Sequence, residues 1–494
     1  MTEQRGDPRH LDTLDRDLAR FSKLEIATNM VARPTVGIGI SLVFVTLAGV
    51  AAMFLFGQES NTLIVVVAAC LGAYMALNIG ANDVANNMGP AVGANALSMG
   101  GAIAIAVIFE SAGALIAGGD VVSTIAKGII EPESMGTASI FIWAMMAALL
   151  SAALWVNLAT WFGAPVSTTH SVVGGVMGAG IAAAGFAAVN WPTMGKIAAS
   201  WVISPLLGGA IAAFFLAFIK SRIIYREDKI SAARVWVPVL VGIMAGAFAS
   251  YLALKGLKKV IKIDLPTALM IGAAIGGLVW LAMIPIIRKQ SAGLENRNKS
   301  LKVLFGIPLV VSAALLSFAH GANDVANAVG PLAAIVQASQ SGDFIQAVSL
   351  PFWVMVIGAF GISFGLFLFG PKLIRMVGGQ ITKLNPVRAY CVALSAAITV
   401  IVASWLGLPV SSTHIAVGAV FGVGFYREWD AERRIRKARI AMPDRAQFPP
   451  EERRRRKLVR RSHFMTIIAA WVITVPAAAI LSGCIFYLIS LVMG

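Results

Sequence analysis

Residues 80–86 read Gly80-Ala81-Asn82-Asp83-Val84-Ala85-Asn86, and the same seven residues return as Gly321-Ala322-Asn323-Asp324-Val325-Ala326-Asn327. Each copy closes a long apolar run and is followed by Gly-Pro, at Gly89-Pro90 and Gly330-Pro331. The copies are 241 residues apart. A second pair follows in the same order: Gly163-Ala-Pro165-Val-Ser167-Thr168-Thr169-His170 is echoed 244 residues later by Gly407-Leu-Pro409-Val-Ser411-Ser412-Thr413-His414. Amide, hydroxyl and ionisable side chains inside apolar runs are costly and are functional by default. Their return in one order implies a duplicated membrane protein with a single site between its halves.

The rest of the chain agrees. Its 494 residues are 58% hydrophobic and 13% charged, with mean hydropathy +0.80, whereas a soluble domain carries roughly 25% charge. A span needs about 20 apolar residues. The runs near 36–56, 62–88, 97–118, 139–161, 165–185, 196–219, 235–254, 266–287, 303–330, 351–370, 387–407, 410–426 and 464–492 qualify. The expected fold is therefore all-α and polytopic, with about 12–13 membrane segments. The stretches at 80–95, 163–185, 321–336 and 407–426 are candidates for broken or re-entrant helices, because Gly and Pro weaken a helix there. A β-barrel would alternate instead. The first 35 residues are polar and basic, without a cleavable signal. Cys70, Cys391 and Cys484 are far apart and show no metal-ligand spacing.

The net charge of +16 does not point to nucleic acid, because it is localised. Residues 427–461 hold 14 Lys/Arg against 6 Asp/Glu, a net of +8, including Arg453-Arg454-Arg455-Arg456-Lys457. Such loops mark the cytoplasmic side and attract anionic lipid. Placing the N-terminus in the cytoplasm of a cell (inner or plasma) membrane puts 220–234, 288–302, 371–388 and 427–462 inside. The two Asn-Asp segments then run in opposite directions, as inverted-topology repeats do. Lys255, Lys258, Lys259 and Lys262 fall on the other side and disagree with the charge rule. A third echo, Ile197-Ala-Ala-Ser-Trp201-Val-Ile-Ser and Ile467-Ile-Ala-Ala-Trp471-Val-Ile-Thr, has its offset stretched to 270 by the basic loop. The organisation reads as a polar segment 1–35, a first half 36–220, a two-span connection 221–302 and a second half 303–494 with the loop 427–462 inserted.

The chemistry of the two motifs differs. Asn82, Asp83 and Asn86, with Asn323, Asp324 and Asn327, offer hard oxygen ligands for Na+, most directly at Asn82, Asp83, Asn323 and Asp324, or a carboxylate for H+. Ser167, Thr168 and Thr169, with Ser411, Ser412 and Thr413, stand at helix starts, where free N–H groups and the helix dipole favour an oxyanion. His170 and His414 either touch that anion or anchor the helix start. Carboxylates beside an anion repel it unless cations lie between, so the pairing predicts coupling to a cation. Glu110, alone in the apolar run 104–117, joins the cation-coupling set.

These motifs resemble those of the inorganic phosphate transporter (PiT) family of cation–phosphate symporters, over about residues 60–493. The segment Lys196-Ile-Ala-Ala-Ser-Trp-Val-Ile-Ser-Pro-Leu-Leu-Gly208 looks most like the plant-plastid and bacterial branch. The resemblance implies a secondary transporter, not an enzyme, that carries inorganic phosphate inward with Na+ or H+ by alternating access, without a cofactor. It assigns phosphate to the six hydroxyl residues and the coupling ions to the Asn-Asp clusters, with Glu110 as the first-half glutamate. A second glutamate common in the family maps, counting back from Gly407, to Ala393, which is taken as the counterpart of Glu110. A sulfate symporter of the same build and, remotely, an intramembrane hydrolase using Ser167/His170 or Ser411/His414 are the competing readings. A homodimer is left open.

Overall fold

The computed structural model describes residues 35–56, 61–162, 166–256, 263–341, 350–380, 384–441 and 461–493. Lys258, Lys259, Lys262, Pro165 and the run Arg453–Lys457 lie outside them, as does nearly all of the N-terminal segment. Apolar chain in lipid has no water for its N–H and C=O groups, so it must satisfy them internally as helix. The described elements are accordingly helical: α1 (Thr35–Phe56), α2 (Thr62–Gly93), α3 (Met99–Ala117), α4 (Gly119–Ser123), α5 (Ala138–Trp161), α6 (Thr168–Ala184), α7 (Trp191–Ile219), α8 (Lys229–Lys255) and α9 (Leu265–Gln290). There follow α10 (Asn298–Leu304), α11 (Gly306–Asp324), α12 (Ala326–Ser341), α13 (Phe352–Gln380), α14 (Pro386–Trp405), α15 (Ser412–Ala441) and α16 (Arg461–Met493). Polar caps fix many starts: the side chains of Ser98, Thr137, Asn190, Asp228, Asp264 and Asn385 each accept from a backbone N–H of the first turn.

Among the described residues, 11 helices are long and apolar enough to cross a membrane, two fewer than the thirteen runs read from the sequence. The missing two are α6 and α15. The first has 17 residues, and the second carries a charged C-terminal half. Both begin at buried residues, Thr168 and Ser412, so the hydroxyl motifs start their helices inside the protein. The Asn-Asp segments behave differently from each other. Helix α2 runs unbroken through Gly80 and Gly89-Pro90, whereas the second copy is interrupted at Val325, between α11 and α12.

The halves are interlocked. Motif helix α2 packs on α13 and motif helix α11 on α3; α6 packs on α16 and α15 on α7. Each contact has a counterpart in the other half. Gly80 lies against the Ile362 carbonyl and Gly321 against the Glu110 carbonyl; Gly113 faces the Phe318 carbonyl and Gly365 the Leu77 carbonyl. At these four crossings a Cβ would strike backbone, so glycine lets the helices meet, the usual device where lipid removes the hydrophobic drive between helices.

These crossings set the correspondence of α3 and α13 at 252 residues, and they correct one reading of the sequence. The counterpart of Glu110 is Ile362, not Ala393; Ala393 lies on α14, which corresponds to α5. Counting back from the hydroxyl motif failed because Glu110 belongs to a helix in front of α5, with its own offset.

The interior of the bundle is the second motif segment: 89% of its apolar window is buried, against 17% for α1. The outer faces of α1, α9 and α16 present Phe54, Leu281 and Leu488 outward, as lipid-facing helices do. Helices α8 and α9 pack on each other through Gly242, Gly246, Gly272 and Gly276. At the end of α8, Lys255 pairs with Asp120, which gives one of the four disagreeing lysines an acidic partner on the same face.

Candidate transport site

Two helix starts meet at the centre. Ser167 caps α6, its Oγ accepting from the His170 N–H at 3.1 Å, and Ser411 does the same for His414 at 3.3 Å. The next two hydroxyls of each motif face inward. Thr168 Oγ1 donates to Asp83 Oδ2 at 2.7 Å, and Thr413 Oγ1 donates to Asp83 Oδ1 at 2.9 Å. One carboxylate thus collects a hydroxyl from each half. Ser412 Oγ, the counterpart of Thr168, donates to Asp324 Oδ2 at 2.9 Å. Thr169 Oγ1 donates to the Val410 carbonyl at 3.0 Å, tying the start of α6 to that of α15.

The asparagines divide by position. Asn86 and Asn327 reach the hydroxyls of the opposite half. Asn86 Nδ2 donates to Thr413 Oγ1 at 2.9 Å; Asn327 Nδ2 donates to Thr169 Oγ1 and Thr168 Oγ1 at 3.2 and 3.3 Å. Asn82 and Asn323 turn toward the helix preceding the hydroxyl motif of their own half. Asn82 Nδ2 donates to Thr160 Oγ1 at 2.8 Å and Asn323 Nδ2 to Ser404 Oγ at 3.0 Å. Thr160 and Ser404 are themselves 244 residues apart, so the echo extends beyond the motifs. With their NH2 groups engaged, the Oδ1 atoms of Asn82, Asn323 and Asn327 and Asp324 Oδ1 are buried and accept no hydrogen bond. Unsatisfied buried acceptors of this kind suit a hard cation.

His320 completes the site and was not singled out from the sequence. It is fully buried on α11, four residues before Asp324. Its Nε2 stands 2.7 Å from Asp324 Oδ2 and its Nδ1 3.2 Å from Glu110 Oε1. Asn87 Nδ2 donates to the same Glu110 oxygen at 2.9 Å. Glu110 is therefore held by Asn87 and flanked by His320. Asp83, His320 and Asp324 each present a ligand atom within 4.8 Å of the others. A signal was available: a histidine next to the repeated heptapeptide, where the first copy has Ile79, in a chain with 5 histidines.

His170 and His414 lie behind the hydroxyls. Their rings meet edge to face at 4.4 Å between centroids, and His170 packs on Trp201 at 3.9 Å. Trp201 Nε1 in turn donates to the Pro409 carbonyl at 3.1 Å. This pair joins the two helix starts and links the third echo to the second.

The sequence model of the phosphate transporter family matches residues 79–482. The chain belongs to that family. A protein of Helicobacter pylori strain J99 described as "putative phosphate permease" is 53% identical over 431 residues, 86% of this chain and 80% of that one. One of Pyrococcus abyssi with the same description is 36% identical over 422 residues, 85% of this chain and 97% of that one. The solved structure titled "The sodium-dependent phosphate transporter" matches with a TM-score of 0.78 at 34% identity, covering 87% of this chain and 100% of that one. Membership in the phosphate transporter family makes the chain a multi-pass membrane protein and a transporter rather than an enzyme, which removes the hydrolase reading.

Proposed function

We propose that the protein imports inorganic phosphate by symport with a cation, Na+ in the first place, through alternating access between two inverted repeats. The observation that carries the reading is the shared carboxylate: Thr168 and Thr413, from the two helix starts, both donate to Asp83. The hydroxyls are the phosphate donors, together with the first N–H groups of α6 and α15. As they stand, Thr168, Ser412 and Thr413 are committed to carboxylates. A cation on Asp83 or Asp324 competes for those carboxylate lone pairs, and the hydroxyls turn to the anion. Cation before phosphate is then the order of binding, and neither travels alone.

The name of the solved relative and the orphaned amide oxygens of Asn82, Asn323 and Asn327 support Na+. Asp83 and Asp324 also favour phosphate over sulfate, because a protonated phosphate can donate to a carboxylate and sulfate cannot. In this reading the chain sits in the cell membrane with its N-terminus in the cytoplasm and its basic loops against anionic lipid.

Proteoliposomes test this. Labelled phosphate should accumulate with an imposed Na+ gradient, and a large excess of sulfate should leave uptake nearly unchanged. Uptake driven by a proton gradient without Na+ would replace the coupling ion. Competition by equimolar sulfate would replace the substrate.

A further inference from the structure

A cavity of about 630 Å³ lies away from the central site, at the junction of three helix ends. It is lined by the end of α2 at Gly93 and Asn95, by Lys302 of α10, by Gly306 at the start of α11, and by Asn385 and Arg388 at the start of α14. All three helices lead from it to the motifs. Helix α2 arrives seven residues beyond Asn86, ~10 Å at 1.5 Å per residue; α11 leads to Asp324 and α14 to Ser404. The lining holds two cations and neither Asp nor Glu. Arg427 on α15, outside the lining, acts on Arg388 electrostatically and is itself offset by Glu428. Gathering positive charge in a concave wall focuses the field on an anion, and an arginine fork fits the oxygens of a phosphate group.

The opposite end of the molecule lacks these charges. By the offsets of 241 and 244, Lys302 corresponds to Asn61 and Arg388 to Ala144. Asn61 donates to the Ser339 carbonyl at 3.1 Å, and Ala144 is buried. Duplication therefore supplied the scaffold at both ends, and these two cations stand at one. That end is the cytoplasmic one in the orientation proposed above.

We propose that the Lys302–Arg388 cavity is a second phosphate-binding site, on the cytoplasmic side of the transport pathway and separate from the central one. It takes a phosphate group with a free dianionic face, supplied either by released inorganic phosphate or by a phosphomonoester lipid headgroup. The inference rests on the transport reading for its placement, but its binding chemistry does not require transport.

Binding of labelled inorganic phosphate is measured on the purified full-length protein in phosphatidylcholine vesicles, and retained lipid is measured on protein passed through phosphatidic acid vesicles. Two classes of phosphate site are expected. Asp83→Asn with Asp324→Asn removes one; Lys302→Gln weakens the other ~10-fold, the loss of one charge-assisted contact, and Lys302→Arg keeps it. Lys302 is exposed, so its replacement leaves the fold intact. For the half-buried Arg388, Arg388→Lys is used, with a monodisperse elution profile as the control. If the headgroup is the source, phosphatidic acid is retained by the wild type and lost by Lys302→Gln. A single class of phosphate site, with no lipid retention and no response to Lys302→Gln or Arg388→Lys, overturns the proposal. Failure of transport with the Lys302-dependent class still present would sink the transport reading instead.

Discussion

Asp83 and Asp324 are counterparts 241 residues apart, yet they live in different company. Asp83 receives two hydroxyls, Thr168 and Thr413. Asp324 receives one, Ser412, and lies 2.7 Å from a histidine whose other nitrogen is 3.2 Å from a glutamate. The counterparts of His320, Glu110 and Asn87 in the first half's environment are Ile79, Ile362 and Ala328. Helix crossings, caps and hydroxyls are kept in duplicate, while a buried Glu110–His320–Asp324 chain exists beside one aspartate. The difference separates two jobs. In the proposed reading, the duplicated parts make a shell for one anion between two walls of like build. The single chain makes the walls electrically unequal, with three carboxyl groups and one imidazole in one buried cluster, a deficit of positive charge that a cation can supply.

The largest effect that can break this comparison is on the aspartates. Asp83→Asn and Asp324→Asn should each lower coupled uptake at least ~100-fold, in line with removing one member of a buried charged network, while the protein still elutes as folded. The two should fail differently. Asp83→Asn disturbs hydroxyls of both halves and should weaken phosphate binding as well. Asp324→Asn leaves the Asp83 hydroxyl pair and should chiefly weaken cation binding. Equal effects of both on both ligands would erase the proposed division.

The next effect is on the single chain itself. Glu110→Gln should shift the cation concentration for half-maximal uptake by ~10-fold or more, with a smaller change in phosphate affinity, because Glu110 reaches the site through His320. His320→Gln should give a similar shift. The double replacement should add little, since residues in one network are not additive. A sum of two independent losses would show that Glu110 and His320 act separately, and a loss confined to phosphate affinity would move Glu110 into the anion shell.

Packing supplies a smaller contrast. Gly80→Ala and Gly321→Ala both drive a methyl into a facing carbonyl, so each should cost about 1–3 kcal/mol as overpacking does, read as a lower melting temperature in detergent. Gly321 faces the backbone of Glu110 itself. Gly321→Ala should therefore also alter the cation dependence, and Gly80→Ala, facing Ile362, should not.

Much of this was legible in the sequence because duplication writes each requirement twice. Asn86, Asn327 and the hydroxyl triplets could be paired by counting, and the structure brings them together. What was not legible occurs once, or depends on which helix crosses which. His320 has an isoleucine in its image, so no echo announced it. The counterpart of Glu110 could not be found by counting from the hydroxyl motif, because α3 and α13 keep a different offset. Asn82 and Asn323 share a helix with the aspartates, but only packing shows that their NH2 groups face Thr160 and Ser404. The continuity of α2 through Gly89-Pro90 was also hidden, since Pro permits a helix whose freed carbonyl is satisfied by neighbours.

The smallest expected effect concerns the basic region between α15 and α16. Its described beginning is held to a neighbouring turn at the surface: Asp430 accepts from Lys220 at 2.7 Å and from the Tyr225 hydroxyl, and Arg434 stacks over the Tyr225 ring at 3.3 Å. These contacts anchor the C-terminal half of α15 to the turn Lys220–Ile224 and to Tyr225, which follow α7. Residues 442–460 have no counterpart in the first half, where the third echo follows the hydroxyl motif with 26 fewer residues between them. The hydrogen bonds that Asp83, Asp324 and Glu110 accept from Thr168, Thr413, Ser412 and Asn87 are all made within the described helices. Replacing 442–460 with a short neutral linker should therefore leave the phosphate affinity of purified, uniformly oriented protein within about twofold of wild type, while lowering the fraction inserted in the correct orientation, as loss of a positive loop does. Asp430→Asn tests the anchored part separately: it should loosen α15 and lower thermal stability with the loop intact. A large loss of phosphate affinity on removing 442–460 would mean that the loop reaches the transport pathway, and the equivalence of the two anion walls would no longer be the whole of the binding site.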